Sequence, residues 1–323
     1  MLFFAVLVLF INREYDANID LPLYMDFYRY NVSFADIFIS KTAWKGDFFF
    51  FAIMPVSHFF GFDKETYISF QLVISIFLTF FAYHLFFKQN KSRVFLAFFF
   101  MLNSSSFYLI QGNVIRQGLA SSLLLLSLST DTVHLKRVYK ILAFFSHKGS
   151  VFVFLSRYFS FNKDYRLATI VLAFLIGYFS LFVHILFLFP IPEFVQTKLD
   201  FYSSFQRASS NSIIKLGLLL LFNLLFLIAH NRKGYYKTVY SFFFSFSIAA
   251  LLLFRFDGIF SRLILYTDIF LPILIIEVIE RFKTNKNRAI VSVLMIGASM
   301  LYSVYVFNHK SILFNMGEYF RLW

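Results

Sequence analysis

Three groups of polar residues interrupt stretches that are otherwise apolar, and their types suit the handling of an anion. The first lies in residues 111–120, Q-G-N-V-I-R-Q-G-L-A, between the apolar runs 94–109 and 119–128. Asn113 and Arg116 are three apart, so on a helix they share one face. A guanidinium grips phosphate through two parallel bonds. Asn113 and Gln117 add neutral donors beside it. An arginine at membrane depth is costly and marks a functional site by default. The second group is Ser146, His147, Lys148, Gly149 and Ser150, inside the apolar stretch 141–159. It offers a histidine for proton transfer and a lysine for charge. The third is Arg255, Asp257, Arg262 and Tyr266, with Arg262 and Tyr266 four apart on one helix face. Asp268 lies deeper in the same apolar run and needs a partner.

Each group also has a plainer reading. Residues 111–120 can be a tight interhelical turn, with Gly112 and Gly118 for close packing and Arg116 snorkelling to the surface. His147 can be a buried histidine bonded within a turn. Residues 255–262 can be an exposed loop in which Arg255 and Asp257 pair locally. Glu277 and Arg281, four apart, read as a structural pair.

Composition sets the scaffold that must position these groups. The chain is 59% hydrophobic and only 15% charged, in long unbroken apolar runs. That excludes an ordinary soluble domain and a β-barrel, and implies an all-α, polytopic integral membrane protein. There is no cysteine, so disulfides and thiol chemistry are excluded. The net charge of +13 falls in short loops between apolar runs, which reads as topology and lipid contact rather than nucleic-acid binding. No His or paired-carboxylate spacing suits a metal, and no glycine-rich nucleotide loop is present, so no metal or cofactor is expected.

The hydropathy pattern gives about nine transmembrane helices. They are residues 2–11, 66–87, 94–109, 113–130, 167–189, 213–229, 239–254, 263–279 and 289–307. Residues 48–60 are apolar but short and contain Pro55 and His58, which suits a half-inserted helix. Basic clusters at 88–93, 136–140, 232–237 and 281–288 should all be cytoplasmic. They share a side only if 141–159 is a re-entrant hairpin with its tip at 146–150, where Gly149 supplies backbone freedom. External loops are then expected at about 12–47 and 190–212, with Arg116 and Arg262 opening helices on the outer side. The whole of 1–323 reads as a single membrane domain.

The order of these features resembles the EpsG family of bacterial exopolysaccharide proteins, relatives of the Wzy-type O-antigen polymerases. An R-Q-x-x-A pattern opening a helix is similar to Arg116, Gln117 and Ala120. A histidine interruption one segment later is similar to His147 to Ser150, and an R-x-x-x-Y pattern is similar to Arg262 and Tyr266. The Arg/Asp/Tyr-rich stretch from Arg13 to Tyr28 is a weaker fourth match. Lys148 and Gly149 depart from the more usual small-residue pattern.

The resemblance implies a GT-C-like fold in the bacterial inner membrane. It also implies a metal-independent glycosyltransferase that joins oligosaccharide repeat units carried on undecaprenyl pyrophosphate. Membrane lipids, chain-length regulator proteins and flippase proteins would be its partners, with no nucleic acid. On that chemistry Arg116 and Arg262 neutralise the pyrophosphate leaving group. Asp20, His147 or Asp257 takes the proton of the acceptor hydroxyl. Asn113, Gln117, Lys148, Tyr266, Arg13 and Arg255 would bind substrate. If Arg116 and Arg262 converge on one anion, an acid should stand nearby in the empty protein, with Asp20, Asp257 and Asp268 as candidates. An O-antigen ligase-type transferase, or a flippase or transporter of lipid-linked glycans, are the alternative readings.

Overall fold

The computed structural model describes residues 20–39, 47–88, 90–102, 104, 107, 114–156, 163–179, 181, 210–229, 235–282 and 284–309. Among them all regular structure is helical. The chain divides into two compact units, Met1–Ser150 with Thr284–Trp323, and Val151–Lys283. The expected helix at 2–11 and the expected loop at 190–212 lie almost wholly outside the described residues.

The first unit begins with a departure from expectation. Residues 20–39 are not open loop but two short helices, α1 (Asp20–Tyr30) and α2 (Phe34–Ile39). In α1, Leu21, Tyr24, Met25 and Tyr28 recur at helical spacing and are all buried. The exposed Asp26 and Arg29 mask that stripe in the sequence. Ser33 caps α2: its backbone N–H and hydroxyl donate to Asp36 Oδ2 at 2.7 and 2.8 Å. Asp36 N returns a bond to Ser33 Oγ at 3.3 Å.

Helix α3 (Phe48–Phe59) carries Pro55 inside it. Its 12 residues span only about 18 Å, too short to cross a bilayer. Gly61 turns the chain with φ 71°, a left-handed position that favours glycine after a helix. Asp63 then caps α4 (Lys64–Phe86), accepting from Thr66 N at 2.7 Å. Among the described residues α4 is the one unbroken helix long and apolar enough to cross a membrane.

Helices α5 (Lys91–Leu102), α6 (Ile115–Ser129) and α7 (Val133–Ser146) follow. Ser122 Oγ donates to Ser75 O at 2.8 Å, and Ser129 Oγ donates to Ala82 O at 2.7 Å. Numbers rise together along both helices, so α4 and α6 run parallel, with small polar residues at the seam. Helix α7 packs on α6 and returns. Its 14 residues cover about 21 Å, enough to carry the chain from the far end of α6 back to its start. There α7 stops at the expected tip: His147 is extended (φ −160°, ψ 120°) and a tight 3-10 turn spans Lys148–Val151. Gly149 takes no left-handed conformation; among the described residues only Gly61 and Lys88 do.

The second unit holds α8 (Phe152–Leu155), α9 (Lys163–Tyr178), α10 (Ser210–Ala229), α11 (Tyr235–Leu252), α12 (Asp257–Asp268) and α13 (Leu271–Glu280). The final helix, α14 (Asn285–His309), belongs to the first unit and packs on α5. Helices α9 and α11 run parallel: Arg166 lies over Tyr240 near their starts, and Gly177 abuts the Leu251 carbonyl near their ends. Helix α12 starts at Asp257, so most of the expected 255–262 loop is helical. The expected continuous helix 263–279 is broken, with a 47° bend between Gly258–Asp268 and Leu271–Glu280. Pro272, in the first turn of α13, has no N–H to continue the ladder from Asp268. Helix α13 ends beside the start of α11, where Tyr236 OH donates to Glu280 Oε2 at 3.3 Å. Within this unit Arg166, Lys237 and Arg281 therefore lie toward one end. Lys215, Arg255 and Arg262 lie toward the other, where Lys215 Nζ donates to Ser261 Oγ at 2.9 Å.

Candidate functional site

The centre of the first unit's candidate site is Arg116, the second residue of α6. Its guanidinium forms an ion pair with Asp47 through one carboxylate oxygen. The other oxygen of Asp47 accepts from the Lys148 backbone N–H at 3.3 Å. One carboxylate thus joins the start of α6 to the turn that ends α7. Arg116 Nε also donates to Tyr24 OH at 3.2 Å, and the guanidinium carbon lies 5.3 Å from the Tyr24 ring centroid.

Aromatic packing fixes that geometry. Tyr24 packs against Phe50 at 5.4 Å, which ties α1 to α3. One helical turn on, Tyr28 stacks against Tyr67 at 4.5 Å and against His58 at 3.9 Å. Tyr28 OH donates to Phe62 O at 2.7 Å, and a His58 ring nitrogen meets Tyr28 O at 2.8 Å. Helix α1 is thereby pinned against both α3 and α4, and Tyr24 with it.

The ion pair is only partly sealed. The Arg116 side chain keeps 24% of its exposure and that of Asp47 11%. A guanidinium so placed is held by one carboxylate yet reachable by a second anion. His147 sits at the edge of the same cluster. Its Nδ1 accepts from Gly149 N at 3.2 Å, which leaves the neutral ring's proton on Nε2. Gln117 is wholly buried beside Arg116 on α6.

Among the described residues the acid paired with Arg116 is Asp47, which the sequence reading does not name as a candidate. Asp20 opens α1 and Asp257 opens α12, but their side chains lie outside the described residues, as do Arg13 and Asn113 altogether. Asp268 accepts from the neighbouring Thr267 Oγ1 at 3.5 Å. In the second unit, Arg262 is half-buried next to Ser261. Arg255 Nε donates to Tyr178 O at 2.9 Å, and its guanidinium lies 5.2 Å from the Tyr178 ring centroid. Tyr266 is fully buried and stacks on Phe246 at 4.7 Å. Glu277 and Arg281 face each other at 3.9 Å. Lys215 is a cation that the sequence motifs do not mark; its position inside an apolar helix is the only local signal. Among the described residues no three His, Asp or Glu side chains gather as a metal site would require.

Helical structure throughout the described residues and strongly apolar helices define a helical protein of membrane character. Residues 1–320 match the EpsG family, and the chain belongs to that family. No curated protein and no solved structure matches it. Membership points to a polymerase-type glycosyltransferase function in exopolysaccharide or O-antigen assembly.

Proposed function

We propose that the protein polymerises oligosaccharide repeat units carried on a lipid pyrophosphate such as undecaprenyl pyrophosphate, at the outer face of the inner membrane. The observation that carries this reading is the Arg116–Asp47 pair, in a chain of the EpsG family. In the transfer step an acceptor hydroxyl attacks the donor's anomeric carbon. The bond from that carbon to the pyrophosphate oxygen breaks, and the lipid pyrophosphate leaves with the electron pair. Arg116 meets the negative charge as it develops. Before substrate binds, Asp47 keeps the guanidinium aimed and neutralised; the pyrophosphate then competes for the same donors.

The hydroxyl proton needs an acceptor. His147 suits this because its neutral ring has a lone pair at Nδ1, which the Gly149 amide occupies at rest. Charge supports the facing side. The basic stretches 88–93 and 134–140 flank the ends of α4 and α6 away from Arg116. Placing them in the cytoplasm puts Arg116 outside.

The test is an elongation assay in membranes supplied with lipid-linked repeat units. Arg116→Ala should abolish elongation. Arg116→Lys should be strongly impaired, because an ammonium keeps the charge but not the two-pronged grip. Full-length polymer from Arg116→Ala at normal protein level would overturn the proposal. The same assay with a lipid A acceptor separates a polymerase from a ligase.

A further inference from the structure

The second unit holds a cation that the reaction above does not use. Arg166, in the first turn of α9, is only 2% exposed. Its guanidinium carbon lies 4.7 Å from the centroid of the Tyr240 ring. Tyr240 is fully buried and held in place by Phe226 and Phe244, at 6.5 and 5.8 Å. Arg166 Nε is buried and has no hydrogen-bond partner. The two carboxylates described at this end are engaged elsewhere: Glu277 with Arg281 at 3.9 Å, and Glu280 with Tyr236 OH at 3.3 Å.

A buried charge of this kind is costly, and the ring and hydroxyl of one tyrosine offset only part of the cost. The missing component is an anion. The guanidinium's planar donors match the oxygens of a phosphate, and the exposed Lys237 and Arg281 at the same end add to the attraction. For a protein of membrane character, phosphates at a basic end of the helices are those of anionic lipid headgroups. We infer that Arg166 and Tyr240, framed by the first turns of α9 and α11, form a binding site for the phosphate of an anionic lipid.

The test uses the full-length protein in nanodiscs of phosphatidylcholine, with or without phosphatidylglycerol. Thermal unfolding and lipid retention in native mass spectrometry are the readouts. Wild type should unfold at higher temperature with phosphatidylglycerol and retain that lipid. Arg166→Met, which removes the charge at similar volume, should be at least as stable as wild type in phosphatidylcholine. It should lose the phosphatidylglycerol gain and retain that lipid roughly tenfold less well. Arg166→Lys should keep part of the gain. If inorganic phosphate reproduces the gain in wild type and not in Arg166→Met, the anion site stands and its occupant is free phosphate. A full phosphatidylglycerol response in Arg166→Met, or no response in wild type to either probe, would overturn the inference. Elongation is not a readout, so failure here is distinct from failure of the polymerase reading.

Discussion

Asp47 should be worth more to the fold than its place before α3 suggests. It makes two contacts at once: an ion pair to Arg116 and a bond from Lys148 N at 3.3 Å. Exposed ion pairs contribute about 0–1 kcal/mol, and breaking a buried one costs about 3–5 kcal/mol. With side-chain exposures of 24% and 11%, this pair falls between those limits. The second bond, long at 3.3 Å, adds about 1 kcal/mol, below the ~1.5–3 kcal/mol of a well-formed bond to a charged group. Asp47→Ala should therefore destabilise the protein by about 2–4 kcal/mol. Asp47→Asn keeps an acceptor for Lys148 N, loses the ion pair, and should cost less. The decisive measurement is a double-mutant cycle with Arg116→Ala, read by thermal or denaturant unfolding in one detergent. The double variant should be less unstable than the sum of the singles by about 1–2 kcal/mol. Strict additivity would show that the pair contributes no coupling and that Asp47 does not hold Arg116.

Three further outcomes are expected. Gly177→Ala would place a Cβ 1.9 Å from the Leu251 carbonyl oxygen, so α9 and α11 must separate, at a cost of about 1–3 kcal/mol in unfolding experiments. Asp63→Ala should cost about 0.5–2 kcal/mol by removing the α4 cap. The bonds from Thr66 hold the Asp63 carboxyl below its usual pKa. The cap's contribution should thus be fully present above the unfolded carboxyl pKa, near 4, and fade as pH falls through the lower folded value, seen as a shrinking difference between variant and wild type in acid. The chain has no cysteine, so single cysteines report cleanly. Lys237→Cys and Arg281→Cys should react with an impermeant thiol reagent from one membrane side and Arg255→Cys from the other; all three labelling from one side would break the reading of the second unit as membrane-crossing.

Long apolar stretches were legible because they need no partner to declare themselves: α4, α6, α10 and α11 fall where hydropathy puts them. Boundaries were less so. Pro272 is a local signal for the break between α12 and α13, yet hydropathy runs through it because both flanks are apolar. The start of α12 at Asp257 is hidden by Asp257, Gly258 and Ser261, which read as loop chemistry. Helix α1 shows the opposite fault. Its buried stripe Leu21, Tyr24, Met25, Tyr28 is at helical spacing, but the exposed Asp26 and Arg29 make the segment look like solvated connection.

The site divides along the same physical line. Arg116 is legible because a cation among apolar residues is conspicuous wherever the chain goes. Its counter-charge is not, because Asp47 is 69 residues away and sits among several acids of equal promise. Local rules would give Asp47 another task, since it occupies the residue before α3, where a carboxylate usually accepts from the helix's own N–H groups. It makes no such bond. Its oxygens go to Arg116 and Lys148 instead, where a charge-assisted bond outweighs a helix cap. That choice is set by the packing of Tyr24 on Phe50 and of Tyr28 on Tyr67, which fixes α1 against α3 and α4. Weakening that aromatic wall should loosen the ion pair without touching either charge. Tyr28→Leu should reproduce part of the Asp47→Ala loss.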